Sequence, residues 1–277
     1  METKTLSSKT RIMVESAILI AIGTVLSLIK IVSLPYAGSV TVGALVPVII
    51  ISYRHGAGWG VAAGFVYGIV QQLIDIHVLG WVTSWYSIVA VILLDYAVAF
   101  AVIGFGGVFR RVIKDQALAL ASGAFFACVL RFVCHVVSGA TVWAGLSIPT
   151  EAALIYSLAY NSTYMIPETL VTVFASYYLG SVLDFEKQVP ERIVRQNRRV
   201  PVLRICAWGL ITAAFIADVA LIFSKLQDAE SGEWLSNGLS LVNWTAVIAV
   251  TCSAAVVAAA LFVADGIVRR RKAHIEG

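Results

Sequence analysis

The sequence predicts an all-α integral membrane protein. Its expected architecture is a six-helix block plus a C-terminal two-helix membrane hairpin, giving eight spanning helices with both termini cytoplasmic. Three observations carry this. The 277 residues are 60% hydrophobic and only 13% charged, whereas soluble domains run near ~25% charged, and the mean hydropathy is +0.89. Apolar runs recur at about the 20 residues that a spanning helix needs. Finally, most of the 20 Lys and Arg sit at alternate connections and at the termini, which is the positive-inside pattern.

Taken in order, the apolar segments fall at roughly 12–32, 41–53, 57–79, 86–108, 116–140, 152–181, 202–223 and 241–265. The second is short and holds Pro47, which predicts a broken or tilted segment. Basic residues cluster at Lys4–Arg11, Arg54, Arg110–Lys114, Lys187–Arg204 and Arg269–Lys272, while the last intervening connection, KLQDAESGEW, is acidic. The net charge of +4 therefore reports topology and not nucleic-acid binding. METKTLSSKTR looks like the basic start of a signal peptide, but the run after it is too long for an h-region, so the first helix reads as uncleaved. No segment alternates as a membrane barrel strand must. The expected division is 1–185 as a six-helix substrate-binding domain, 186–200 as a basic cytoplasmic linker and 201–277 as the two-helix extension.

Two packing features stand out. Gly56, Gly60, Gly64 and Gly68 recur every four residues in GAGWGVAAGFVYG. On a helix they form a stripe without side chains that a neighbouring backbone can approach, and internal packing is its reading. Ala17 and Ala21 make a smaller surface on the first helix, suited to an internal helix or to a partner's helix. The cysteines at 128, 134, 206 and 252 lie in apolar helices without metal or disulfide spacing and read as small buried residues. The Asn161-Ser-Thr sequon lies inside a membrane segment.

The chain lacks a Gly-Lys-Ser/Thr phosphate loop, a His-Glu-x-x-His pair and a Gly-x-Ser-x-Gly elbow. Its four histidines, at 55, 77, 135 and 274, show no ligand spacing, so no metal and no cofactor is expected. Polar chemistry concentrates between Arg131 and Glu168, in RFVCHVVSGATVWAG and YSLAYNSTYMIPE. A charged side chain at the centre of a spanning helix costs roughly 2.5–3.5 kcal/mol on insertion scales, so such groups face a bundle interior or a cavity. Arg131, His135 and Gly139 share one face of the fifth helix, with Trp143 just beyond it. Tyr156 and Asn161 follow in the sixth, about 140° apart on a regular helix, and Asp95 lies mid-way along the fourth. Glu168, after Pro167, ranks behind Asp95. Each has a packing alternative: Arg131 pairing with Asp95, Trp143 as an interfacial anchor.

At these residues the chain resembles a known family. RFVCHVVSG, Trp143 and YSLAYN-x-x-YM-x-P, together with LLDYAVAF and LPYAGSVTVG, are similar to the thiamine-specific substrate-binding subunit (S component) of energy-coupling factor (ECF) transporters, over roughly 10–185. The resemblance implies a six-helix, high-affinity thiamine-binding protein that opens outward, with residues 33–41 as a lid. It has no ATPase of its own and partners a transmembrane coupling subunit and two cytoplasmic ATPases. By motif, Asp95, Arg131, His135, Gly139, Trp143, Tyr156 and Asn161 are the implied binding residues, with Tyr36, Trp85, Tyr86 and Glu168 as secondary positions. Ala17 and Ala21 match the docking motif for the coupling subunit. The chain departs from the family at SWYSIVAVILLDY, which lacks a Pro-x-Gln element, and in residues 186–277, which have no counterpart there.

The chemistry agrees. A thiazolium cation favours aromatic faces, worth about 2 kcal/mol when desolvated, and an aminopyrimidine suits Asp95 and Asn161. The linker's basic residues suit an anionic bilayer surface. Rival readings are an S component for another vitamin or a thiamine precursor, a solitary proton-coupled carrier using Asp95 or Glu168, and a membrane-embedded enzyme using His135 with a carboxylate.

Overall fold

The computed structural model describes residues 8–34, 37–144, 153–193, 202–226 and 238–273. Tyr36, the second half of the expected linker, the acidic connection after Leu226 and His274 lie outside the described residues. The chain divides into two compact units: Met1–Gly180 with Phe185–Pro190, and Ser181–Asp184 with Glu191–Gly277.

The first unit begins with α1 (Ser8–Leu28), then a hairpin of β1 (Lys30–Ser33) and β2 (Ser39–Thr41), α2 (Val46–His55) and α3 (Ala57–Ile74). A 3₁₀ turn (Ile76–Trp81) leads into one continuous helical segment, Trp85–Arg111. That segment changes pitch along its length. It is α-helical at α4 (Trp85–Val91), π-helical over Ile92–Val98, α-helical at α5 (Ala99–Ala101) and 3₁₀ over Val102–Arg111. Asp95 lies in the π turn, a distortion common at functional sites. α6 (Gln116–Thr141) and α7 (Ala153–Val182) complete the unit. Asp115 caps α6 by accepting the Leu118 amide at 2.9 Å.

The expected segment 41–53 is corrected here. Residues 39–41 pair as a strand with β1, and the helix starts only at Val46 with Pro47 in its first turn. Its ten residues span about 15 Å, half the hydrocarbon thickness of a bilayer, and Val46 to Tyr53 are all buried. Six described helical segments are long and apolar enough to cross a membrane: Lys9–Leu28, Ala57–Ile74, Trp85–Arg111, Gln116–Thr141, Val202–Leu226 and Trp244–Val268. The short α2 and the more polar α7 are not among them.

Glycines set the packing of the 85–111 segment. A Cβ at Gly60 would lie 2.6 Å from the Gly104 carbonyl oxygen, and one at Gly68 would lie 2.5 Å from that of Tyr96, while one at Gly64 would overlap the Phe100 carbonyl. The stripe on α3 is therefore internal packing. Gly56 is not part of it. Nothing lies within 4 Å of a Cβ there, and its φ of +93° makes the α2–α3 turn.

An ionic knot fastens one end of this unit. The Arg54 guanidinium pairs with Glu15 of α1 and donates to the carbonyls of Phe185 (2.7 Å), Lys187 (3.0 Å) and Gln188 (3.0 Å). Arg110 donates to the Tyr53 and Arg54 carbonyls, each at 2.9 Å. On α1 the buried residues Ser16, Gly23 and Ser27 face inward, and Met13, Val14, Ala17, Ile18, Ala21, Ile22 and Val25 form an exposed apolar face.

The second unit contains β3 (Leu183–Asp184) paired with β4 (Glu191–Arg192), α8 (Val202–Leu226), α9 (Gly238–Leu241) and α10 (Trp244–Ala273). α8 and α10 are joined by Arg204 and Asp265 at 3.0 Å and by the Thr251 hydroxyl donating to Asp218 at 2.6 Å.

Candidate functional site

A cavity of about 120 Å³ lies in the first unit, far above the roughly 10–15 Å³ that one water needs. α6 brings Arg131, His135 and Gly139 to it on one face, as the four-residue spacing requires. α7 contributes Tyr160, Asn161, Tyr164 and Glu168, and the π turn contributes Asp95 and Tyr96. The hairpin, the end of α1 and α3 supply Lys30, Thr41, Ser27, Tyr67 and Gln71. The site therefore draws on more of the fold than its fourth to sixth helices.

Asp95 is the organising group. It is buried at 8% exposure and accepts from the Ser138 hydroxyl at 2.8 Å and the Trp143 indole N–H at 2.9 Å, with His135 Nδ1 at 3.1 Å. A carboxylate only accepts, so the Nδ1 contact requires a proton on that nitrogen. The other ring nitrogen, Nε2, is buried with no protein partner, and in the neutral ring it is an acceptor. Asn161 extends the network. Its Nδ2 donates to the His135 carbonyl at 3.3 Å and the Ser157 carbonyl at 2.9 Å, and its Oδ1 accepts the Tyr164 hydroxyl at 2.7 Å.

Arg131 does not pair with Asp95. Its guanidinium lies over the Phe100 ring, 4.6 Å from the centroid, and its buried Nε has no hydrogen-bond partner. Gln71 Nε2 is likewise buried and unpartnered. An unmet buried donor costs about 1–3 kcal/mol, so these atoms mark positions where a ligand or water completes the site. The wall carries three carboxylates (Asp75, Asp95, Glu168) against two basic groups (Lys30, Arg131). That balance, lined by Tyr67, Tyr96, Phe100, Trp143, Tyr160 and Tyr164, suits a small aromatic cation.

Of the residues expected from sequence, the structure brings Asp95, Arg131, His135, Gly139, Trp143, Asn161 and Glu168 to one cavity. Trp143 is buried at 9% exposure and is no interfacial anchor. Tyr156 does not line the cavity. It sits five residues before Asn161, about 140° away on a helix, and Tyr160 and Tyr164 of the same helix line the cavity. Trp85 and Tyr86 are not among the lining residues either. They are 77% and 65% exposed and contact each other edge to face at 6.1 Å, in the manner of interfacial aromatics. Thr41, Gln71 and Tyr67 were missed because they come from distant segments. For Tyr160 and Tyr164 the signal was present, since both flank Asn161 in the same motif.

These features define a multi-pass helical membrane protein with an internal small-molecule cavity. Residues 13–185 match the family described as Thiamine transporter protein (Thia_YuaJ), and the chain belongs to that family. It is thus a multi-pass protein of the bacterial plasma membrane, in a family of thiamine transporters and not of enzymes. A relative described as Thiamine transporter ThiT, from Bacillus subtilis (strain 168), is 32% identical over 170 residues, 57% of this chain and 84% of the relative. A solved structure of ThiT from Listeria monocytogenes shares the fold with a TM-score of 0.52 at 21% identity, covering 63% of this chain and 95% of that one.

Proposed function

We propose that the chain is the thiamine-binding S component of an ECF-type uptake transporter. It binds thiamine from outside and releases it inward when coupled to a transmembrane subunit and two cytoplasmic ATPases. The observation that carries the binding assignment is the Asp95 network within a cavity of net acidic, aromatic wall. In this reading the aminopyrimidine lies against Asp95, His135 and Asn161, whose remaining acceptors meet its amine. The thiazolium lies against the aromatic wall, with Gly139 and Trp143 shaping the space and Arg131 bounding it.

Family membership supports thiamine over other vitamins. The exposed Ala17 and Ala21 on an apolar face of α1 support docking of the coupling subunit there. The same reading keeps eight crossings, with α2 and the hairpin together filling the place of the second, both termini cytoplasmic, and residues 201–277 as an added membrane hairpin. Titration of the purified chain with thiamine, its pyrimidine precursor, riboflavin and biotin tests it. Saturable binding of thiamine above the others is expected, and preference for another vitamin overturns it. Proton-driven uptake by the chain without ATPases would favour a solitary carrier instead.

A further inference from the structure

We propose that Glu168, a wall residue of the cavity, is a positioning residue that clasps the β1–β2 hairpin over the cavity and thereby sets how long a ligand stays, acting through the hairpin and not through a hydrogen bond to the ligand. This rests on the thiamine reading of the cavity. Both Glu168 oxygens are occupied by one residue 127 positions away: Oε2 accepts the Thr41 backbone N–H at 2.6 Å, and Oε1 accepts the Thr41 hydroxyl at 2.7 Å. Glu168 is 4% exposed and Thr41 7%, so both partners of these bonds are buried. The Thr41 hydroxyl also accepts the Ala44 N–H at 3.3 Å, which ties the clasp to the entry of α2.

The hairpin is part of the cavity wall through Lys30, Gly38, Ser39 and Thr41. The hairpin also holds α7 by apolar packing: Val40, fully buried, packs with Tyr164 and Met165. Non-directional packing lets a strand slide, whereas a bidentate, charge-assisted pair fixes register. Asn161, Tyr164 and Glu168 lie three and four residues apart and so share one face of α7. One helix face thus carries both the polar network of the site and the clasp on the strand that covers it. Lifting this strand for ligand passage requires breaking both Glu168 bonds.

The test is thiamine dissociation from the full-length chain, followed by stopped flow, for wild type, Glu168→Gln, Thr41→Val and the double variant. Hydrogen exchange of the residue 39–41 amides is measured without ligand. Glu168→Gln is expected to accelerate dissociation on the order of 10- to 100-fold and to raise exchange at 39–41. Thr41→Val should act in the same direction, and the double variant should be little worse than Glu168→Gln alone. Full additivity of the two substitutions would assign Glu168 to the ligand and overturn the proposal, as would unchanged dissociation with unchanged exchange. If wild type binds no thiamine, the ligand reading fails, while the exchange comparison still decides the clasp.

Discussion

Asp95 shows how one carboxylate organises a site. It holds the tautomer of His135, orients Ser138 and anchors Trp143 by its indole N–H. Asp95→Asn replaces an acceptor by a donor within this set of donors, and a charged hydrogen bond is worth about 1.5–3 kcal/mol. Thiamine affinity should therefore fall about tenfold or more in equilibrium titration, and an unchanged affinity would place the amine contact elsewhere. Trp85→Ala should leave affinity within about twofold, because that ring is exposed beside Tyr86 and exposed substitutions away from a site change little. At this scale the sequence was readable wherever polarity stood out against an apolar helix, as with Arg131, His135 and Asn161. Type and motif also pointed to Tyr156, which lies about 140° from Asn161 on a helix and is not among the residues lining the cavity.

At the scale of elements, the long apolar runs at 116–140 and 152–181 matched α6 and α7 within a residue or two, because length and hydropathy fix such helices. The π turn around Asp95 was invisible, since no composition distinguishes it from α-helix. The hairpin was missed for a related reason: strands of four and three residues are too short to show alternation. α1 supplies the element-level prediction. Its Ala17 and Ala21 lie on an exposed apolar face, and small residues admit close approach of another helix. Replacing both by Trp should abolish cellular thiamine uptake while sparing binding to the isolated chain, because the cavity takes from α1 only its far end at Ser27. Persisting uptake would argue against a partner there, and joint loss of binding would mean the face supports the bundle.

For the molecule as a whole, the two compact units and the family match ending at residue 185 point the same way. All cavity-lining residues lie between Ser27 and Glu168, so removal of residues 201–277 should leave thiamine affinity within about threefold, a change of well under 1 kcal/mol. The extension's own chemistry, an Arg204–Asp265 pair and a Thr251–Asp218 bond between α8 and α10, holds those two helices together without any group from the cavity. The central claim is that this cavity holds thiamine through Asp95 and its aromatic wall. The most direct measurement is titration of the purified full-length chain with thiamine against a vitamin panel, followed by tryptophan fluorescence, with Asp95→Asn in parallel. The account predicts saturable quenching by thiamine alone in the wild type, shifted to at least about tenfold higher concentration in Asp95→Asn. No saturable thiamine signal alongside a clear one for riboflavin or biotin would contradict it.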